Sequence, residues 1–209
     1  MKRKIFTVLI ATLLILIIYF SIEVFYARSH TIEMANKYLS SAQITKQDLS
    51  TEQLEILIKI EDPKFFNHKG VDFITPGGGW TTITQALAKK FYFKNFKQGL
   101  PKFKQTLCAR FALHPLVSKD QQITLFLNMM NFGNNQIGIV NAANYYYSKT
   151  VNQLSRNEYI TLIASLISPS SLNIKTNPNE NKLRVERINK MLSGQYNPKS
   201  LFDITYDKY

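Results

Sequence analysis

The chain has 209 residues, enough for one domain with a short appendage. Hydrophobic residues make up 45% and charged residues 19%, which excludes a disordered or low-complexity chain. The net charge of +12 favours anionic partners, but the basic residues are dispersed with no run of five, so nucleic acid is not an expected partner.

Residues Ile5 to Ile22 carry no charge. As a helix rising about 1.5 Å per residue, this stretch nearly crosses a hydrocarbon core of about 30 Å. Lys2, Arg3 and Lys4 precede it, and the positive-inside rule then predicts a cytoplasmic N-terminus with everything after Arg28 on the outer face. A cleavable signal peptide would have a shorter apolar region and a small-x-small site, which Phe25-Tyr26-Ala27 does not supply. The expected division is a basic tip and transmembrane anchor over 1–28, a helical or irregular stalk over 29–49, a catalytic domain over 50–194 and a tail over 195–209.

Ser50-Thr51-Glu52-Gln53 is a capping box in front of Leu54, Leu57 and Ile58, which predicts a helix over about 51–61 that Pro63 ends. Gly77-Gly78-Gly79 leads into Thr81 to Lys90, a glycine loop opening a helix and a candidate anion site. Pro101 begins another helix, with Phe103, Leu107 and Phe111 four residues apart on one face and Lys104 and Arg110 off it. Ser118 and Ser155 open two further capping boxes before the apolar stretches Ile123 to Met130 and Tyr159 to Ile167, both predicted to be buried helices. Asn181 to Leu192 is a last amphipathic helix with Gly194 beyond it. Period-two alternation is absent, so the predicted class is all-α.

Glu61 falls in the last turn of its helix, where the macrodipole disfavours a carboxylate, and Phe65 and Phe66 dry its surroundings. Both effects raise its pKa toward the range of a general base. Asp62 could instead cap or pair structurally. Lys89, Lys90, Lys102, Lys104 and Arg110 are cations able to neutralise a diphosphate. His30, His68 and His114 lack paired metal-ligand spacing, so no protein metal site is expected. Cys108, the only cysteine, is expected to be a buried apolar residue.

Glu61-Asp62-Pro63-Lys64-Phe65-Phe66-Asn67-His68-Lys69-Gly70-Val71-Asp72 resembles the first motif, E-D-x-x-F-x-x-H-x-G-x-D, of the peptidoglycan glycosyltransferases. That family includes the monofunctional transglycosylases and the N-terminal domain of bifunctional penicillin-binding proteins. The segment from Gly78 to Lys89 is similar to the second motif, G-G-S-T-I-T-Q-Q-L-x-K, with Trp80 inserted and Ala86 in place of Gln. Phe126-Leu127-Asn128, Phe132-Gly133, Gly138, Ala142-Ala143 and Tyr146-Tyr147 resemble the fourth motif, and Leu154-Ser155, Glu158 and Pro169-Ser170 the fifth.

The resemblance implies a lysozyme-like helical fold that polymerises lipid II into glycan strands at the outer face of the cytoplasmic membrane. By the same resemblance Glu61 is the catalytic base and undecaprenyl diphosphate the leaving group. Asp62, His68, Thr82, Gln85, Lys89, Lys102, Lys104, Gln105, Arg110 and Asn128 are the implied substrate-binding residues. A divalent cation, Mg or Mn, could accompany the diphosphate, and a penicillin-binding protein or other synthase could be a partner.

Three departures accompany the match. Gln105 stands where the third motif, R-K-x-K-E, has glutamate, Thr124 replaces the acid of E-x-Y-L-N, and only Phe73 to Pro76 separate the first motif from the glycine run, where the family has some twenty residues more. Two other readings therefore stay open: a non-catalytic lipid II or glycan-binding partner of another synthase, and a lytic enzyme that cleaves glycan.

Overall fold

The computed structural model describes residues 2–97 and 99–207. Among them there is no strand, and the only β pairing is an isolated bridge between Asn131 and Ile137.

Helix α1, Lys2–Ser40, runs for 39 residues without a break, about 58 Å at the usual helical rise. Among the described residues it is the one helix long and apolar enough to cross a membrane, and residues such as Ile5, Leu9, Leu13 and Ile17 stand exposed along it. The predicted anchor and the first part of the predicted stalk are thus a single rod. Ala27, Thr31 and Ala35 recur every fourth residue on the buried side. Small side chains there let the helix approach closely: Ala27 packs with Cys108 and Ala112, and the Thr31 hydroxyl lies 2.8 Å from that of Tyr92. Arg28 donates to the Phe111 carbonyl at 2.8 Å, and Glu23 forms an ion pair with Lys104.

The domain that α1 leans on is a cluster of short helices. Helix α2, Thr51–Glu61, begins at the Ser50 capping box and ends before Pro63. Helices α3, Ile83–Tyr92, and α4, Leu100–Cys108, follow, with α4 passing into a π-helical turn at Ala109–Leu113. Helix α5, Lys119–Met129, and helix α7, Arg156–Ser165, form the centre; Ile123, Leu125, Leu127, Ile160 and Ile163 are all buried. That matches their nearly all-round apolar character. Helix α8, Pro178–Leu192, closes the bundle against α7.

Two elements differ from expectation. Helix α4 buries Gln105 and Cys108, with Ala109 and Ala112 continuing that face, while Leu100, Phe103 and Phe111 stay exposed. The apolar stripe faces away from the core because Phe103 meets Phe20 of α1 edge-on, ring centres 4.9 Å apart, beside the apolar span. Helix α6, Ile139–Tyr147, has no counterpart in the predicted elements. Its β-branched start and three tyrosines are poor helix formers, and burial of Ile139, Ala142 and Ala143 against the core stabilises it instead.

The tail is built into the fold. Beyond Gly194 the chain turns back across the glycine loop, burying Asp203 and Tyr206.

Candidate active site

Asp62 closes α2 with backbone angles outside the helical region, φ −161° and ψ 79°. Its carboxylate accepts from His68 Nε2 at 2.9 Å and from the Ile83 N–H, in the first turn of α3, at 3.0 Å. His68 Nδ1 accepts from the Gly70 N–H at 3.0 Å, so the ring proton sits on Nε2. Thr82, the N-cap of α3, accepts from the Gln85 N–H and donates to the Gly70 carbonyl at 2.8 Å. These bonds pin the end of α2 to the start of α3. They leave Glu61, one residue earlier, facing a different way.

Glu61 lines a cavity of about 560 Å³ with Ile60, the glycine loop, Thr82, Lys89 and Arg184. No hydrogen bond or ion pair ties its carboxylate to another described residue. Burial pushes its pKa up to about 7; Arg184 opposes the rise, and Asp62 adds to it. A carboxyl poised there holds or releases a proton near neutrality, which a general base or acid requires.

The cationic side of the cavity comes from α3. Lys89 and Lys90 line it, and Lys102 reaches across from α4 to donate to the Thr81 hydroxyl at 2.8 Å. Burial, with Lys89 beside it, brings the Lys102 pKa down to about 8. The Lys90 amine is shifted downward for the same two reasons.

Of the implied site residues, Glu61, Thr82 and Lys89 line the cavity and Lys102 touches it through Thr81. The others lie elsewhere. Asp62 and His68 are bonded to each other, and Gln85 is buried, donating to Thr106 at 2.9 Å. Gln105 is turned into the interior between α3 and α4, where its Nε2 donates to the Gln85 carbonyl. Lys104 is paired with Glu23, and Arg110 lies over the ring of Phe111. Asn128 ties the 43–44 backbone to α5, donating to the Ile44 carbonyl at 2.7 Å.

The glycine loop also differs from the expected anion site. Gly77 and Gly79 have φ of 77° and 66°, but their N–H groups donate to the carbonyls of Ser200 and Leu201 at 2.9 and 2.8 Å. The tail fills those donors.

Arg184, Ile204 and Tyr206 line the cavity without having been picked out as site residues. The signal for Arg184 was a charge in register with the apolar positions Ile188 and Met191 of α8. Nothing local marks Tyr206, whose partners Ile60 and Arg184 lie far away in the chain.

A divalent cation does not fit the groups present. Among the described residues no cluster of three His, Cys, Asp or Glu side chains could hold one. At the cavity Glu61 has only Asp62 nearby, already bonded twice, and Gln105 points away.

The family model for Transglycosylase matches residues 75–193, beginning after the Glu61 motif. Penicillin-binding protein 1F of Bacillus subtilis is 31% identical over 177 residues, covering 78% of this chain and 25% of that protein. Penicillin-binding protein 1A of Neisseria cinerea is 35% identical over 150 residues, 65% of this chain and 19% of that protein. Its counterpart in Neisseria flavescens is 34% identical over 152 residues. The chain thus spans a quarter or less of the length of these relatives. With an all-helical fold and a match over more than half its length, the chain belongs to the transglycosylase family, the peptidoglycan glycosyltransferases of cell-wall synthesis.

Proposed function

We propose that the protein polymerises lipid II into glycan strands, with Glu61 as general base. The observation that carries this reading is the untethered Glu61 carboxyl, poised near pH 7 in a cavity whose other wall bears Lys89 and Lys90. In the reaction, Glu61 takes the proton of the acceptor sugar's 4-hydroxyl as that oxygen bonds to the anomeric carbon of the lipid-linked sugar. The bond from that carbon to the diphosphate oxygen breaks on the opposite face, with inversion, and undecaprenyl diphosphate leaves. Lys89, Lys90 and Lys102 are placed to offset the charge developing on the diphosphate.

The anchor supports a site at the bilayer. Phe103 contacts Phe20 within the last turn of the apolar span, so its exposed ring projects at the level where a membrane's hydrocarbon ends. With the basic residues 2–4 inside, the domain stands on the outer face.

A second reading, binding of lipid II or glycan without turnover beside another synthase, is favoured by one observation: the glycine-loop donors are already bonded to the tail. The test is to incubate the full chain in lipid with labelled lipid II, and separately with finished glycan strands, beside Glu61→Gln. Polymer formed by the wild type and absent from the variant supports transfer. Saturable binding without polymer would leave the binding role, and shortened strands would indicate lysis.

A further inference from the structure

The tail makes contacts that the reaction as written does not use. Asp203, wholly buried, accepts from the Tyr196 hydroxyl at 2.7 Å and from the Lys199 N–H at 3.2 Å, folding the segment on itself. Phe202 lies against Trp80, ring centres 4.9 Å apart, and the Tyr206 hydroxyl donates to the carbonyl of Ile60 at 3.3 Å. Ile60 is the residue before Glu61.

Between this segment and α7 sits Arg184. Its Nη1 donates to the Ile204 carbonyl at 2.8 Å and its Nε to the Ala164 carbonyl at 3.2 Å, while its guanidinium lies over the Tyr206 ring. Both acceptors are neutral, and Arg184 forms no ion pair with a described carboxylate. A buried cation held only by neutral groups is costly unless an opposite charge lies close by. Glu61 is the one carboxylate that lines the same cavity.

The groups facing Glu61 are few. Asp62 acts from the end of its own helix, Tyr159 from α7, Tyr206 from the tail and Arg184 from α8, and Lys89 and Lys90 of α3 share the cavity. Lys89 sits over the ring of Phe96. Among these cations Arg184 alone is clamped by two backbone carbonyls.

We propose that Arg184, fixed by the Ala164 and Ile204 carbonyls, is the positioning residue that sets the protonation of Glu61, so that the tail through residue 206 is a wall of the active site. Its charge opposes the desolvation that pushes Glu61 upward. Without it, the protonated form of Glu61 prevails at neutral pH and less of the carboxylate is free to take the acceptor's proton. That consequence for the reaction rests on Glu61 being the base of the proposed transfer; the titration itself does not.

The experiment is a carboxyl ¹³C titration of the full chain in lipid nanodiscs with glutamate labelled, the Glu61 resonance being assigned by its absence in Glu61→Gln. Wild type should titrate near 7. Arg184→Gln should raise the midpoint by about one unit, a tenfold gain in proton affinity, while Arg184→Lys should leave it close to wild type. If Arg184→Gln fails to keep wild-type helical circular dichroism, Arg184→Met, which puts an apolar chain where a charge is buried, gives the same reading. A neutral variant that folds and titrates like wild type overturns the proposal. If the shift is present but wild type makes no polymer from lipid II, the transferase reading fails and the Arg184 assignment stands.

Discussion

His68 Nε2 lies 2.9 Å from one carboxylate oxygen of Asp62 and 3.0 Å from the other, with Asp62 buried and His68 half-buried beside the first turn of α3. Adjacent acids at the end of α2 therefore have opposite surroundings. Asp62 is satisfied by neighbours, whereas Glu61 is left for the cavity. Replacing His68 with Ala would leave a buried carboxylate short of a charge-assisted bond and the Gly70 N–H without its acceptor. The expected loss is about 2–3 kcal/mol, seen as a lowered unfolding midpoint of the detergent-solubilised protein.

Glu61 should cost the fold stability. Its folded pKa, about 7, lies above the ordinary 4.5, so below pH 4.5 it is protonated in both folded and unfolded states and adds no penalty. The penalty grows as pH rises from 4.5 through 7 and is complete above that. Glu61→Gln should therefore match wild type in acid and exceed it at pH 8 by on the order of 3 kcal/mol, measured by denaturant unfolding at the two pH values. A constant difference across that range would remove the pKa shift from consideration.

Gln105→Glu, which puts an acid where the third motif of the family has one, should not raise activity. The side chain is buried in the interior with its amide donating to the Gln85 carbonyl, so a carboxylate there would face an acceptor and be taken out of water. A stability loss of about 3 kcal/mol or more and no gain in lipid II polymerisation are expected, from thermal unfolding and a polymerisation assay run together.

Gly77→Ala should disturb the cavity wall more than Gly99→Ala. Both positions have positive φ, but a Cβ at Gly77 would lie 3.0 Å from the Pro198 side chain, while one at Gly99 meets nothing within 4 Å. Backbone strain of about 1 kcal/mol or more applies to both, and the clash with the tail applies to Gly77 alone. Hydrogen exchange at Gly79 and across 198–206 should speed up in Gly77→Ala only.

Much of the architecture was legible because it is local. The Ser50, Ser118 and Ser155 caps each bond back to the residue three further on, and helices α2, α5 and α7 start where those boxes put them. Glu61 stood out for its place in a helix end. What was not legible depends on distant partners. The apolar stripe of α4 looks like a core face until α1 and its apolar span lie beside it, and Gln105 takes the buried side because α3 offers it a carbonyl. Tyr206 reaches Ile60 across 146 positions, and no spacing within the tail announces that contact.

The pH dependence of the initial rate of lipid II polymerisation, with the full chain in lipid, tests the central claim most directly. Glu61 as the base places the midpoint of the acid limb near 7, and Glu61→Gln should abolish the rate across the whole range. A limb in the ordinary carboxylate range, or polymer formed by Glu61→Gln at the wild-type rate, would contradict it.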